Sequence, residues 1–371
     1  MNVGLLFERK ADYPFTADDP ADSDSELLSA AEERELIEGV AAAGHHVVVI
    51  GDTNALLEGI DTWRAQCDIV LNRSVGYRGP ERKSIAPAIL EAAGIPYVGS
   101  GPYALSLTRN KYHAKLVASA AGLPTPPAAL LPGGIDNQIE NLLYPAIVKP
   151  VAESSSIGIE AGQSIVTTPE QARERAHIIA MRYQQPALIE TFIEGVEVEV
   201  PLLMGHEPRV LGVFAITING QLPPAAHYLA SEQVYIDGYG YTDPPAYIDT
   251  NRLADIAIQG ALALGIRDYG RLDFRVSADG TPWFIEASTH PHIQRHSSFY
   301  VVARRAGMSY AQMLDMLIQA AAQRYGLDAY KCNEAGIYSS PTQVVKARTC
   351  GAWGNQRSAA LAGPQRRQSL H

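Results

Sequence analysis

The sequence predicts an α/β fold that passes, about halfway along, into α+β. Two observations predict it. In the first hundred residues short apolar runs alternate with amphipathic stretches, the pattern of a parallel sheet covered by helices on both faces. From Ala187 onward strand patterns dominate, and Asp279-Gly280 between two apolar runs is the strongest short hairpin signal.

The elements follow in order. Val3 to Phe7 reads as a strand. The acidic stretch Asp12 to Asp24 reads as a mobile loop near that strand's end, where open α/β sheets bind ligands. Ser25 to Ala43 carries apolar residues at helical spacing and closes on Gly44. Val47 to Ile50, Ile69 to Leu71 and Pro96 to Val98 read as buried strands, with a helix from Ser84 to Ala93 before the last. A helix over Asn110 to Ala121 carries Lys111 and Lys115, and Ala146 to Pro150 is a strand. The next helix starts after Thr168, its N-cap, with Pro169 at the first helical position. Ala187 to Glu190, Val196 to Val200 and Val210 to Ile218 are strands, followed by a helix through Leu253, Ile256, Ala257, Ala261 and Leu264. Met308 to Tyr325 is amphipathic, and Cys332 to His371 shows no sustained period and reads as a loosely ordered tail.

The hairpin carries the first chemical signal. With Asp279-Gly280 as a two-residue turn, Asp273 lies opposite Glu286 and Arg271 opposite Ser288. Directly paired residues share a face, and like charges held there are destabilising unless neutralised. A divalent cation with oxygen ligands would neutralise them. The plainer alternative is a solvated hairpin face, and a longer turn would shift the register.

Composition narrows the field. The chain has 371 residues, enough for two or three domains, with 46% hydrophobic and 19% charged residues. A net charge of -10 argues against nucleic acid held by bulk electrostatics. Cys67, Cys332 and Cys350 are sparse and odd in number, giving neither a disulfide framework nor a zinc spacing. No apolar run reaches the roughly 18 residues of a membrane helix. The N-terminus reads as a strand rather than a signal peptide, so a soluble, cytoplasmic protein without a membrane partner is expected.

Three further segments suggest a nucleotide. Glu153-Ser154-Ser155-Ser156-Ile157-Gly158 has small residues with free backbone N–H groups, suited to folding over phosphates; a plain hairpin loop is the alternative. Lys149, at a strand end, could place a point charge on the same phosphates or be an ordinary surface lysine. Glu190 and Glu197, flanking Phe192-Ile193, could hold an adenosine or be strand-edge acids facing solvent.

Taken in order, Tyr97-Val98-Gly99-Ser100-Gly101-Pro102, Asn110-Lys111, Val148-Lys149-Pro150 with the serine segment, Leu188-Ile189-Glu190, Gly270-Arg271-Leu272-Asp273 and Phe284-Ile285-Glu286-Ala287-Ser288-Thr289-His290-Pro291 resemble the ATP-grasp superfamily, and most closely its D-alanine–D-alanine ligase branch. The resemblance spans about residues 1 to 325. It implies an N-terminal α/β domain (1–104), a small ATP-grasp subdomain with a phosphate lid (105–185) and a C-terminal subdomain with the metal and acyl-transfer site (186–330), ATP lying between the last two. The tail is then 331–371. The implied activity joins a carboxylate to an amine through an acyl phosphate, with ATP and Mg2+ or Mn2+ as cofactors and amino acids or a small peptide as substrates. Related ligases are commonly dimers, so a homodimer is expected.

By the same resemblance Lys111 and Lys149 contact the α/β-phosphates, Glu153 belongs to the nucleotide-binding set, Ser155 and Ser156 belong to the lid, and Glu190, Phe192, Ile193 and Glu197 bind adenosine. Asp273, Glu286 and Ser288 hold metal. Arg271 stabilises the transferring phosphoryl group and the oxyanion, Ser297 holds the second substrate's carboxylate, and Tyr228 sits in the mobile loop near the acyl site. Glu8, or an acid of the Asp12 to Asp24 loop, is a candidate for the first substrate's amine.

The chain departs from that family at the acyl centre. Ser288 stands where the ligases carry a metal-binding Asn, His292 where they carry a glycine, and His227 where a lysine precedes the tyrosine. His290, His292 and His296 form a cluster that could act as acid, base or metal ligand, or be polar loop residues around a modified site. The departures suggest a ligase with a different donor or acceptor. A D-alanine–D-alanine ligase proper and a degenerate ATP-binding module are the alternatives.

Overall fold

The structure, a computed structural model, describes residues 1–132, 136–236 and 238–327. The expected tail, with Cys332 and Cys350, lies outside the described residues.

The first sheet is parallel, as the alternating pattern requires. Its strands are β1 (Asn2–Leu6), β2 (His46–Gly51), β3 (Ile69–Asn72) and β4 (Tyr97–Val98), in the order β2-β1-β3-β4. Helices α1 (Ala30–Ala42), α2 (Thr53–Glu58), α3 (Ile60–Gln66) and α4 (Arg82–Ala93) separate them. Both faces are apolar, because side chains alternate along a strand. Val3, Leu5 and Leu71 face one core, while Leu6 and Val70 face another with Leu56 and Leu90. Helix α1 starts later than its periodicity predicts, because Ser29 caps it and forms a capping box with Glu32.

Helices α5 (Pro102–Arg109) and α6 (Lys111–Ala120) lead to a second, antiparallel sheet. It comprises β5 (Ala128–Leu131), β6 (Ala146–Pro150), β7 (Ile165–Val166) and β8 (Ala187–Thr191), ordered β5-β8-β6-β7, with α7 (Pro169–Tyr183) on one face. Strand β8 lies between β5 and β6. The expected break after residue 185 would therefore cut through a hydrogen-bonded sheet; the sheet runs on to Thr191.

The third sheet is the largest. Strands β9 (Val196–Met204), β10 (Arg209–Val210), β11 (Phe214–Ile218), β12 (Tyr239–Thr242), β13 (Asp268–Val276) and β14 (Pro282–Ser288) run in the order β12-β11-β9-β13-β14, and β10 pairs with β9. Helices α8 (Ser231–Tyr235) and α9 (Thr250–Ala263) interrupt the strands. Val198, Val200, Leu272 and Phe274 bury one face against α6 and α9. The expected strand Val210 to Ile218 is split between β10 and β11.

Two helices close the described chain, α10 (Ser298–Arg305) and α11 (Tyr310–Arg324), and α11 returns to pack on α1 and the first sheet. Gly39 on α1 marks the close approach: a Cβ there would lie 2.7 Å from Leu314 Cδ1 and from Tyr310 Cε1. Gly39→Ala is therefore expected to cost about 1–3 kcal/mol, since overpacking forces side chains off their rotamers. Urea denaturation checks it; an unchanged midpoint would show that α1 and α11 have room to part.

The hairpin differs instructively from its prediction. Its loop is Ala278-Asp279-Gly280, closed by Ser277 N–H donating to Thr281 O at 3.1 Å and Gly280 N–H to Ser277 O at 2.9 Å. Gly280 takes the left-handed φ of +80° that this longer turn needs. The two-residue turn was one residue too short, which alone would have flipped every face. A bulge between Asp273 and Phe274 offsets it: Phe274 pairs with Phe284, yet Asp273 still pairs with Glu286 and Arg271 with Ser288. The extra residue, Ile285, lets Phe284 turn into the core and Glu286 into the opposite face.

Candidate functional site

A cleft lies between the second and third sheets. It holds two adjoining cavities, open to solvent, that share Lys111, Glu153, Ser154, Ser156, Glu197, Asp273 and Glu286 in their walls.

The polar cavity is built on strand alternation. Opposite the apolar face of the third sheet, Glu199, Asp273 and Glu286 stand at one level on β9, β13 and β14. Arg271 grips Asp273 with two 2.7 Å hydrogen bonds and reaches Glu199 at 3.0 Å. One arginine does not neutralise the row. Burial pushes the Asp273 carboxyl up to about 8; Glu199 and Glu286 add to the rise, against the pull of Arg271. Burial would raise Glu286 as well, but Lys111 and Lys149, with Arg271, bring it down to about 2. Lys111 Nζ sits 3.2 Å from Glu286 Oε2.

With all three carboxylates ionised, Arg271 and Lys111 leave one negative charge over, and a cation here would let Asp273 give up its proton. Among the described residues no cluster of three or more His, Cys, Asp or Glu side chains is placed to hold a metal by itself. Magnesium commonly takes only one or two carboxylates and completes its shell with water and substrate phosphates. Asp273 and Glu286, with Ser288 in the same cavity wall, fit a divalent ion shared with a phosphate ligand. Glu199 escaped the sequence reading. Its signal was the alternation Val196-Glu197-Val198-Glu199-Val200, which puts both acids on one face.

The lysines converge from two elements. Asn110 caps α6 by accepting from His113 N–H at 3.0 Å, and the next residue, Lys111, turns its ammonium to the carbonyl of Glu153. Lys149 on β6 sits 2.5 Å from Glu190 Oε1, and Lys115 sits 2.8 Å from Glu190 Oε2. Glu190 is thus enclosed by two ammonium groups. Burial alone would raise its carboxyl; Lys115 and Lys149 outweigh burial and hold it below the usual carboxylate range. A depressed native pKa adds stability above the unfolded value, about 4.3, and loses it as pH falls through the native one. The stability gap between wild type and Glu190→Gln should therefore be widest near neutral pH and narrow below about pH 4. Denaturation at pH 3 and 7 measures it; equal gaps would contradict the buried ion triad.

The second cavity is the more apolar one, with Ile147, Phe192, Ile193, Ile285 and Tyr228 in its walls. Glu197 opens to both cavities. Arg275, which the sequence reading did not single out, organises the rim. It stacks over Phe192 at 4.7 Å and donates to the carbonyls of Ile193, Gly195, Ala225 and His227.

The serine segment closes the cleft. Ser155 and Ser156 both take left-handed φ values, 53° and 55°, a strain usually kept only where surroundings enforce it. Ser156 Oγ donates to Leu229 O at 3.1 Å, and Ser155 Oγ lies 3.3 Å from His292 Nε2. Tyr228 hydroxyl donates to Glu160 O at 2.8 Å and accepts from Gly162 N–H at 3.1 Å. Tyr228 thus ties the serine segment to its neighbouring loop, and its hydroxyl is spent there rather than at an acyl centre.

Other expected residues stand elsewhere than anticipated. Ser297 is 2% exposed, caps α10 by accepting from Tyr300 N–H, and lines neither of the two cavities. The Glu153 carboxylate faces Arg82, Arg109 and Gln185; its backbone carbonyl, instead, reaches Lys111. Glu8 accepts from Thr53, Ser74, Val75 and Gly76, which leaves it little capacity for an amine. The expected mobile loop is pinned by Arg78 on Asp19 and by Gly158 N–H on Asp22. Burial lowers His292 to about 4 and His290 well below the ordinary range, helped by Arg73, so both are neutral at pH 7.

The family model described as D-ala D-ala ligase C-terminus matches residues 120–319. Among relatives, a D-alanine--D-alanine ligase of Pseudomonas entomophila is 31% identical over 75% of this chain and 84% of its own length. The uncharacterized protein y4sG of Sinorhizobium fredii is 32% identical over 69% of this chain and 75% of its own. Among solved structures, a D-alanine--D-alanine ligase from Bacillus anthracis complexed with ATP superposes with a TM-score of 0.67 at 20% identity, covering 88% of this chain and 99% of that one.

Proposed function

Because the chain belongs to the D-alanine–D-alanine ligase family and is an ATP-dependent carboxylate–amine ligase of ATP-grasp fold, we propose that its cleft activates an amino-acid or small-peptide carboxylate as an acyl phosphate and couples it to an amine. The observation that carries this reading is the carboxylate row on β9, β13 and β14 beside three converging lysines.

ATP lies between the second and third sheets, with its base in the apolar cavity against Phe192 and Ile193 and its ribose toward Glu197. Lys149 and Lys111 neutralise the phosphates. Glu190 positions Lys149 and Lys115 rather than reading the base. Asp273 and Glu286, with Ser288, would hold a divalent ion, taken as Mg2+ and replaceable by Mn2+. Bound there, the ion would screen the phosphate charge and polarise the γ-phosphoryl group.

Arg271 stands over the row. A substrate carboxylate oxygen attacks the γ-phosphorus and ADP leaves; the amine then attacks the acyl carbon, and the tetrahedral intermediate expels phosphate as the amine loses a proton. Arg271 stabilises charge on the transferring group and on the oxyanion, since donors fixed beforehand cost no reorganisation. Ser155 and Ser156 keep water off the acyl phosphate. Among the described residues no helix is long and apolar enough to cross a membrane. We place the enzyme in the cytoplasm, where its ATP is, as a homodimer that binds no nucleic acid.

Phosphate release from ATP against a panel of amino acids, with mass detection of coupled products, tests the reading. Amino-acid-dependent release with a condensed product is expected. ATP binding without such release would instead assign the chain to a nucleotide-binding module, the outcome Ser288 and His292 would then explain.

A further inference from the structure

The polar cavity has a second charged wall besides the carboxylate row. Arg82, Lys83 and Arg109 meet Glu26 and Glu153 there, with side chains no more than 11% exposed. Arg82 lies 2.8 Å from Glu26 and 2.9 Å from Glu153. Lys83 lies 2.5 Å from Glu26 and donates to Ser154 Oγ at 2.8 Å. Arg109 lies 3.0 Å from Glu153 and 3.5 Å from Glu26. Three cations thus face two anions. Arg109 also keeps two buried donors, Nε and Nη1, without a hydrogen-bond partner. A buried charge surplus with unspent donors is costly unless a ligand completes it.

The missing partner is an anion, and its source can be narrowed. Lys83 and Arg109 line the cavity itself. Lys111 links this wall to the metal side by touching the Glu153 carbonyl and Glu286. The phosphates already have Lys111, Lys149 and Arg271. The carboxylate to be activated must stay nucleophilic, and cations clamped on it would stabilise the ground state rather than the transition state. A second carboxylate on the same substrate meets both conditions. Burial lowers the Lys83 ammonium to about 8 even beside Glu26, so an incoming carboxylate would reinforce its charged form.

Resting on the ligase reading above, we propose that Lys83 and Arg109 select a dicarboxylic amino acid as a substrate, by pairing with the carboxylate that does not react. Aspartate and glutamate, in both enantiomers, are compared with asparagine and glutamine, which keep shape and lose the charge. Binding is followed calorimetrically with the full chain, magnesium and a non-hydrolysable ATP analogue, and turnover by ADP formation with ATP. One dicarboxylate should be preferred over its amide by about 30-fold or more, because a buried charge left unpaired is strongly penalised. Lys83→Met and Arg109→Met should reduce that preference to a few-fold while leaving the KM for ATP unchanged; Arg109→Lys should restore part of it.

Equal use of acids and amides by the wild-type enzyme overturns the proposal whatever the variants do. So does a rise in the KM for ATP that matches the loss of dicarboxylate binding, which would assign the wall to the nucleotide. Turnover of neutral amino acids without a preference leaves the ligase reading standing and removes this one. Preferential dicarboxylate binding without any turnover removes the ligase reading and the dicarboxylate's part as substrate, and leaves only its pairing with Lys83 and Arg109.

Discussion

Glu286→Gln removes turnover, with kcat/KM expected to fall by about 1,000-fold or more, in the range seen when a preorganised electrostatic group is lost. The side chain does two jobs at once. Its carboxylate stands opposite Asp273, where it would serve as a metal oxygen, and it receives Lys111 at 3.2 Å. An amide keeps the shape but surrenders the charge, so metal affinity and the placement of Lys111 weaken together. Steady-state ADP formation across magnesium concentrations measures the effect, with circular dichroism confirming the fold. Activity near wild type in a folded variant would rule out the metal role assigned to this hairpin.

Glu190→Ala should be the most destabilising single change in the cleft, costing about 3–5 kcal/mol, the usual penalty for leaving a buried ion without its partner. Lys115 and Lys149 both end on this carboxylate, and both are almost wholly buried. Without it, two ammonium groups face each other with no anion between them. Pairing Lys115→Met with Glu190→Leu should recover part of the loss, since one stranded charge and its empty space are removed. Urea denaturation of the three proteins decides it. A loss under about 1 kcal/mol in Glu190→Ala would mean the lysines reach water or another acid, contrary to the triad.

The sequence could carry these sites only as far as local pattern reaches. The pairing of Asp273 with Glu286 was legible because a hairpin is a local object, although two unseen details, a longer turn and a bulge, had to offset each other for it to hold. Thr168 and Pro169 opening α7 followed from the same short-range logic, whereas Asn110, read as helical, proved to be the cap of α6. Glu199 was within reach, since strand alternation put it beside Glu197. Ser297 is also the cap of α10, a role the sequence reading did not give it, although a serine before an amphipathic run signals one. The wall of Glu26, Arg82, Lys83, Arg109 and Glu153 was illegible: five residues from four distant segments meet only after the first two sheets dock. Long-range charge clusters leave no periodicity to read.

The account stands on the carboxylate's activation by ATP before the amine arrives. Oxygen transfer reports on that order of events. An acceptable amino acid labelled with 18O in its carboxylate should pass one labelled oxygen to the released phosphate, because the oxygen that attacks phosphorus leaves with it when the amine displaces phosphate. Coupled product accompanied by unlabelled phosphate would contradict the mechanism assigned to this cleft.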